Sequence, residues 1–169
     1  AGALDEAASA AEEGLAVGRA QLPQFAGMCL GRLARVRIAT GDVQAAAALL
    51  DDPLLRGTRQ QAFVEIDVAL ARIALELGSG QPAAALAQAD EEARRLEEMG
   101  GVIWLPEVLR ARAHALEALG RPAEALADLV AAADVTRAAG ARGMLWSHLA
   151  DLAGAQARHG DAEAAAETQ

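Results

Sequence analysis

The sequence contains no lysine, asparagine or tyrosine, and its one cysteine is Cys29. A single cysteine cannot form a disulfide within the chain, which fits a reducing, cytoplasmic setting. Aromatic residues make up only 2% of the sequence, and strands are normally rich in aromatic and β-branched residues. One cysteine and three scattered histidines cannot provide the four ligands of a structural zinc site. These shortages argue against a β fold, an internal disulfide and a zinc centre.

The absence of lysine also removes one class of enzyme. A phosphate-binding P-loop needs a lysine that reaches the β- and γ-phosphates, so no such loop exists in this chain. Ser9, Ser79 and Ser147 are the only serines, and none follows a predicted strand as the nucleophile of an α/β-hydrolase does. We therefore expect a protein that is not an enzyme and that needs no cofactor and no metal.

The sequence also lacks the features that a membrane span and a nucleic-acid surface require. No stretch approaches the roughly 20 consecutive apolar residues of a transmembrane helix. The net charge is −9 and the isoelectric point is near 4.8, whereas a nucleic-acid surface needs clustered cations to neutralise phosphates. We expect no membrane span and no direct contact with nucleic acid.

Alanine and leucine supply most of a hydrophobic content of 53%. Alanine is the best helix former because it loses no side-chain entropy and buries no polar group. Apolar residues also recur at helical spacing: Phe63, Ile66, Leu70, Ile73 and Leu77 follow one another at steps of three and four. The sequence therefore predicts an all-α fold.

A glycine-marked segment recurs along the chain. Each copy has Gly at its first position and Ala at its sixth, and the second position is polar in every copy but the first, where it is Ala3. The copies begin 39 or 40 residues apart, at Gly2, Gly41, Gly80, Gly120 and Gly160. Glycine after a helix adopts the left-handed conformation without a Cβ clash, and the buried Ala would let two helices approach closely. We expect one repeat domain over residues 1–169, a right-handed α-solenoid of antiparallel helix pairs with a period of about 40 residues.

A second break lies near the middle of each cycle. The breaks fall at Gln21-Leu22-Pro23, at Gly57, at Gly100-Gly101 and at Gly140 with Gly143. Each cycle is therefore predicted to hold two helices of about 15–18 residues, a usual length for globular proteins. The helix that begins at Val43 is expected to be shortened by Asp51-Asp52-Pro53.

The third cycle carries a known pattern of small and apolar residues, at Ala113, Leu116, Gly120, Ala125 and Ala132. This pattern resembles a tetratricopeptide (TPR) repeat, although the cycle is longer than the usual 34 residues. The longer form is similar to the repeats that follow the ATPase module in MalT-type and LuxR-type bacterial transcription activators, and to the tails of ATPase-linked adenylate cyclases. Residues 104–110 and 119–126 carry most of the likeness, which covers nearly the whole chain.

The resemblance implies a non-catalytic regulatory domain of a bacterial signal-transduction protein, which binds a protein, a peptide or a small-molecule inducer. The alternative is a stand-alone scaffold that bridges proteins or self-associates through its end repeats. Since the chain begins at a mid-repeat turn and stops inside a helix, we expect either a piece of a longer protein or ends covered by another copy.

In TPR arrays the first helix of each pair lines a concave groove, and this implies a set of candidate binding residues. They are Glu107, Arg110, His114 and Glu117 in the third cycle and Arg32 and Arg35 in the first. A guanidinium beside carboxylates and an imidazole can recognise a polar peptide, although ordinary solvated positions would look the same. Trp104 and Trp146 either pack between repeats or anchor a partner. Co-chaperone repeats grip a C-terminal carboxylate with lysine and asparagine, which this chain lacks.

Overall fold

The computed structural model describes residues 2–57, 62–101, 103–160 and 162–168, and within them the chain is helical and has no strand. This confirms the predicted all-α class, while the solenoid and its period remain predictions. The α-helices are α1 (Gly2–Gln21), α2 (Pro23–Ala39), α3 (Val43–Leu50), α4 (Ala62–Gly78), α5 (Pro82–Met99), α6 (Leu105–Ala118), α7 (Pro122–Ala138), α8 (Arg142–Arg158) and α9 (Ala162–Thr168). A short 3₁₀ helix, Pro53–Gly57, follows α3.

Left-handed glycines separate most of these helices. They have φ between +68° and +87° and are Gly41, Gly80, Gly100, Gly120, Gly140 and Gly160. At Gly120 the glycine N–H donates to the carbonyl of Glu117 and the Arg121 N–H donates to the carbonyl of Leu116, both at 2.9 Å. This pair of bonds satisfies the carbonyls at the helix end, so each turn is compact. A turn was also expected at Gly2, but in the structure Gly2 is the first residue of α1.

The alanine of the repeated segment is buried at four of its five positions. Ala46, Ala85 and Ala125 are wholly buried, Ala165 is 5% exposed, and Ala7 in the first copy is exposed. A methyl group at each buried position leaves room for another helix to pack closely, as the sequence pattern predicts.

The chain forms two compact units, Ala1–Gln81 and Pro82–Gln169. In the first unit α2 packs against α1, α3 and α4. The shared core includes Leu15, Ala26, Leu30, Ala34, Ala46, Leu50, Val68 and Ala71. The third helix has only eight residues, because Asp52-Pro53 ends it and starts the 3₁₀ helix.

In the second unit each helix from α5 to α8 packs against the next helix in sequence. Its core is built from alanines and leucines of three helices: Ala113, Leu116, Ala125, Leu129, Ala133, Leu152 and Ala155. No helix in the described part of the chain is long and apolar enough to cross a membrane.

Candidate functional site

Helix α6 carries the four candidate groove residues of the third cycle on one face. Glu107, Arg110, His114 and Glu117 follow one another at helical steps of three and four, so their side chains line up along the helix. Pro106 lies in the first turn, where its missing N–H costs nothing. All four side chains are partly buried, because they face helix α8.

Arg110 is the centre of the contact with α8. Its Nε donates to Asp151 in a short hydrogen bond, and its Nη1 lies 3.5 Å from Oε2 of Glu107. His114 also approaches Asp151, with Nε2 3.5 Å from Oδ2. One carboxylate of α8 is thus shared by a guanidinium and an imidazole of α6.

A second link joins the carboxyl-terminal ends of the two helices. Arg158 Nη2 donates to both carboxylate oxygens of Glu117, at 2.7 and 2.9 Å. His159 Nε2 lies 3.9 Å from Glu117 Oε1. Arg158 is 56% exposed and Glu117 only 21%, so this link borders the solvent.

The third link involves a buried histidine. The side chain of His148 is wholly buried, and its Nε2 lies 3.7 Å from Glu107 Oε1, too far for a hydrogen bond. Neither ring nitrogen has a hydrogen-bond partner among the described residues. Burial lowers the pKa of His148, with a smaller lowering by Arg110, while Glu107 and Asp151 act in the opposite direction.

Together these residues form what we call the α6–α8 face: Glu107, Arg110, His114 and Glu117 of α6 with His148, Asp151 and Arg158 of α8 and with His159, which directly follows α8. It contains all three histidines of the sequence. Arg110 and Asp151 are 41 residues apart, and so are Glu117 and Arg158; Glu107 and His148 have the same separation. The α8 members were missed in the sequence, although their spacing of about one repeat was a usable signal.

The cations of α6 control the ionisation of Asp151. Burial raises its pKa, but hydrogen bonds from His114 and Arg110 and their positive charge outweigh burial and hold the pKa at about 2. Asp151 is therefore ionised across the physiological range. A carboxylate with so low a pKa is a weak base, which makes it better suited to an ion pair than to proton abstraction.

The two candidate arginines of the first cycle lie in the other unit, on α2. Arg32 Nε donates weakly to both carboxylate oxygens of Asp67 on α4, at 3.3 and 3.4 Å. Arg32 is 60% exposed and Asp67 is 13% exposed at its side chain, so the guanidinium covers a buried carboxylate. Arg35 is partly buried, and within the described residues no ion pair involves it.

The two tryptophans have different surroundings. Trp104 directly precedes α6, makes no capping hydrogen bond with its side chain and is partly buried. Trp146 on α8 is 70% exposed and borders a hollow of about 130 Å³ with Leu149, Ala150 and Thr168. Of the two, Trp146 is better placed to meet a partner.

No group of three or more histidine, cysteine, aspartate or glutamate side chains that could hold a metal ion occurs in the residues that the structure describes. Cys29 is a partly buried free thiol that packs against the core of the first unit. No protein-family model, curated protein or solved structure matches the chain.

Proposed function

We propose that this chain is a non-catalytic regulatory domain that binds a polar peptide or small ligand at the α6–α8 face. The observation that carries the proposal is the composition of that face, where three histidines and two arginines alternate with three carboxylates. Charge-assisted hydrogen bonds from such groups are strong and directional. His114 is 43% exposed and Arg158 is 56% exposed, which leaves donors within reach of a ligand.

Binding at this face can change the geometry of the second unit. The Arg110–Asp151 and Glu117–Arg158 pairs join α6 to α8, and a ligand with its own carboxylate or cation competes for these partners. When a ligand contact replaces one of these ion pairs, one distance between α6 and α8 becomes more favourable than another. Such a ligand acts as a switch only through its differential affinity for the two arrangements.

The resemblance to the repeats of MalT-type and LuxR-type activators and ATPase-linked cyclases supports a place in bacterial signal transduction. In that setting the domain receives an inducer or regulatory protein and passes the change to an output module. The paired state of its carboxylates supports a binding role over a catalytic one, since Asp151 is a weak base.

The test uses peptides selected from a random-sequence library on the immobilised chain. Calorimetry then compares the chain with the double variant Arg110→Ala/His114→Ala and with Arg137→Ala, which removes an exposed arginine that pairs within α7. We expect the double variant to bind at least about tenfold more weakly, with unchanged helicity by circular dichroism, and the control to bind normally. Unchanged binding by the double variant would remove the α6–α8 face from the proposal.

A second function, scaffolding by self-association, is favoured by Trp146. A tryptophan that is 70% exposed beside an apolar hollow is an unusual surface feature and a frequent centre of interfaces. Light scattering across a range of concentrations should reveal a dimer that Trp146→Ala weakens and that Val130→Ala, at another exposed apolar position, does not. A monomer at every concentration contradicts this second function.

A further inference from the structure

The first half of helix α8, residues 142–150, is weakly held in the second unit. Within this half His148 is the only buried residue, whereas the other buried residues of α8 lie in its second half and are Leu152, Ala153 and Ala155. Leu145 and Leu149 are partly buried and pack against the core. The packing of the first half therefore depends on three side chains, of which the imidazole of His148 is the most buried.

The start of α8 also lacks the features that usually stabilise a helix terminus. Its N-cap is Ala141, which makes no side-chain hydrogen bond, and the first turn contains no acidic residue to interact with the helix dipole. Arg142 instead places a positive charge there, and Gly143 has a low helix propensity. Local interactions therefore contribute little to keeping residues 142–150 helical.

The surroundings of His148 suit a neutral imidazole and not a charged one. The side chain is 0% exposed, and neither ring nitrogen has a hydrogen-bond partner among the described residues. Oε1 of Glu107 lies 3.7 Å from Nε2 of His148, beyond hydrogen-bond range. Oε2 of the same carboxylate faces Nη1 of Arg110 at 3.5 Å. A buried charge without hydrogen bonds is costly, so protonation of His148 opposes its burial.

The other charged groups around α8 do not compensate a charge on His148. Asp151 attracts it, but this carboxylate pairs with Arg110 and is approached by His114. On α9 the only charged residue whose side chain the structure describes is Glu167, which is exposed. The other carboxylates of α6 and α7 pair with arginines: Glu117 with Arg158, Glu124 with Arg121, Asp128 with Arg112 and Asp134 with Arg137.

We propose that His148 is a pH switch for the first half of α8. While the imidazole is neutral it stays buried against α6, and residues 142–150 remain packed; when it is protonated, these residues open and the imidazolium reaches water. Asp151 directly follows this segment, so opening weakens its contacts with Arg110 and His114. The effect of the switch on ligand binding rests on the proposed function of the α6–α8 face, whereas the opening itself needs no ligand.

The expected size of the effect follows from the usual pKa of histidine. When only the open segment takes up the proton, with a pKa of 6.5, the open population is multiplied by 1 + 10^(6.5 − pH). This factor is about 1.1 at pH 7.5 and about 11 at pH 5.5. The open population should therefore rise about tenfold between these two pH values.

Native-state hydrogen exchange of the whole chain, followed by NMR, tests the switch without a ligand. Protection factors, which correct for the pH dependence of intrinsic exchange, are compared at pH 7.5 and 5.5 for the amides of residues 146–150 and of residues 153–157. Low concentrations of urea distinguish local opening from global unfolding, because a local opening exposes little surface.

The variants are His148→Leu and His148→Gln, both of which are neutral at the two pH values. The matched control is His159→Gln, at the partly exposed histidine that directly follows α8. If His148→Leu fails to fold, His148→Gln provides the test.

In the parent, residues 146–150 should exchange through an opening that is insensitive to low urea and about tenfold more populated at pH 5.5 than at pH 7.5. Residues 153–157 should exchange only through a urea-dependent unfolding. The His148 variants should lose the pH dependence of the local opening, and His159→Gln should keep it. The proposal is overturned if residues 146–150 share the urea dependence of residues 153–157, or if the His148 variants retain the tenfold change.

His114→Gln identifies which histidine is responsible. A charge on His114 adds to its attraction for Asp151, so protonation of His114 favours the closed segment and this variant should keep or slightly increase the opening at pH 5.5. If His114→Gln abolishes the tenfold change, the assignment to His148 is wrong. Peptide binding is measured separately, so an opening in a chain that selects no peptide refutes the binding face alone.

Discussion

At the scale of single residues, Gly31 shows how one missing methyl group sets the spacing of two helices. It lies on α2 where α4 crosses, and a Cβ at this position would be 2.6 Å from the carbonyl oxygen of Asp67. A main-chain atom of a packed helix cannot move aside as a flexible side chain can, so the close approach of α2 and α4 depends on glycine.

We expect Gly31→Ala to destabilise the chain by about 1–3 kcal/mol, because α2 and α4 must separate to admit the methyl group. Urea unfolding followed by circular dichroism measures the change. Gly143→Ala is the matched control: a Cβ at position 143 meets no atom within 4 Å, so that variant should be as stable as the parent or slightly more stable.

We expect His148 to make the free energy of unfolding depend on pH in the mildly acidic range. Its pKa in the folded protein is lowered from the usual 6.5, chiefly by burial. Between the folded-state and the unfolded-state pKa, the unfolded chain therefore binds a proton at this histidine that the folded chain does not bind. The contribution of the neutral, buried His148 to the free energy of unfolding is therefore fully present above pH 6.5 and is lost as the pH falls below that value.

His148→Leu should reduce the loss of stability between about pH 7.5 and 5.5. Stability near neutral pH should change little, because no hydrogen bond within the described residues is broken. Urea unfolding at several pH values tests this, with His159→Gln, at a 39% exposed histidine, as the control. A pH dependence identical to that of the parent would show that His148 is not its source.

At the scale of elements, charged side chains add to the apolar contact between α6 and α8. The side chains of Arg110 and Asp151 are 27% and 26% exposed. Solvent and salt therefore screen their charge interaction less than that of an ordinary surface pair. The Arg137–Asp134 pair on α7 is a useful contrast, since its side chains are 57% and 65% exposed and lie three residues apart on one helix.

A double-mutant cycle with Arg110→Ala and Asp151→Ala should give a coupling of about 1 kcal/mol. The same cycle on Arg137 and Asp134 should give a coupling close to zero, since solvent screens that pair. If the two cycles gave equal values, the Arg110–Asp151 contact would not hold α6 and α8 together.

Asp151 adds a second, more acidic dependence on pH. Its folded-state pKa of about 2 lies below the usual 3.8, so its contribution is present above pH 3.8 and is lost as the pH falls towards 2. That contribution amounts to about 2 kcal/mol. The Asp151→Asn variant should therefore have a lower free energy of unfolding than the parent above pH 3.8. Its free energy of unfolding should also fall less steeply as the pH is lowered towards 2.

At the scale of the whole molecule, each of the two units has its own buried cluster of alanine and leucine. Ala125, wholly buried in the second unit, is the small residue of the repeated turn segment. A large side chain at this position cannot fit without moving α6 or α8.

Ala125→Trp should destabilise the second unit by about 1–3 kcal/mol or more through overpacking. Amide hydrogen exchange should show faster exchange for α6, α7 and α8 than for α2 and α4. Ala138→Trp, at an exposed position of α7, should exchange as the parent does. Equal protection in the parent and in Ala125→Trp would mean that the predicted packing of this turn is wrong.

The sequence by itself determined the helices and their turns, because these depend on neighbouring residues. Glycines at positions 41, 80 and 120, prolines in first turns and the Asp52-Pro53 break act within a few residues. The buried alanine of each segment after the first was predictable for the same reason. The spacing of Glu107, Arg110, His114 and Glu117 also predicted that they lie on one face of a helix.

Only the tertiary structure decided which residues contact this face of α6. Asp151 and Arg158 contact it from 41 residues away, and a difference of one turn in the packing of α8 would separate them. The burial of His148 likewise depends on which side chains of distant helices share a space. Local propensity carries no information about such encounters, because they are set by packing between elements.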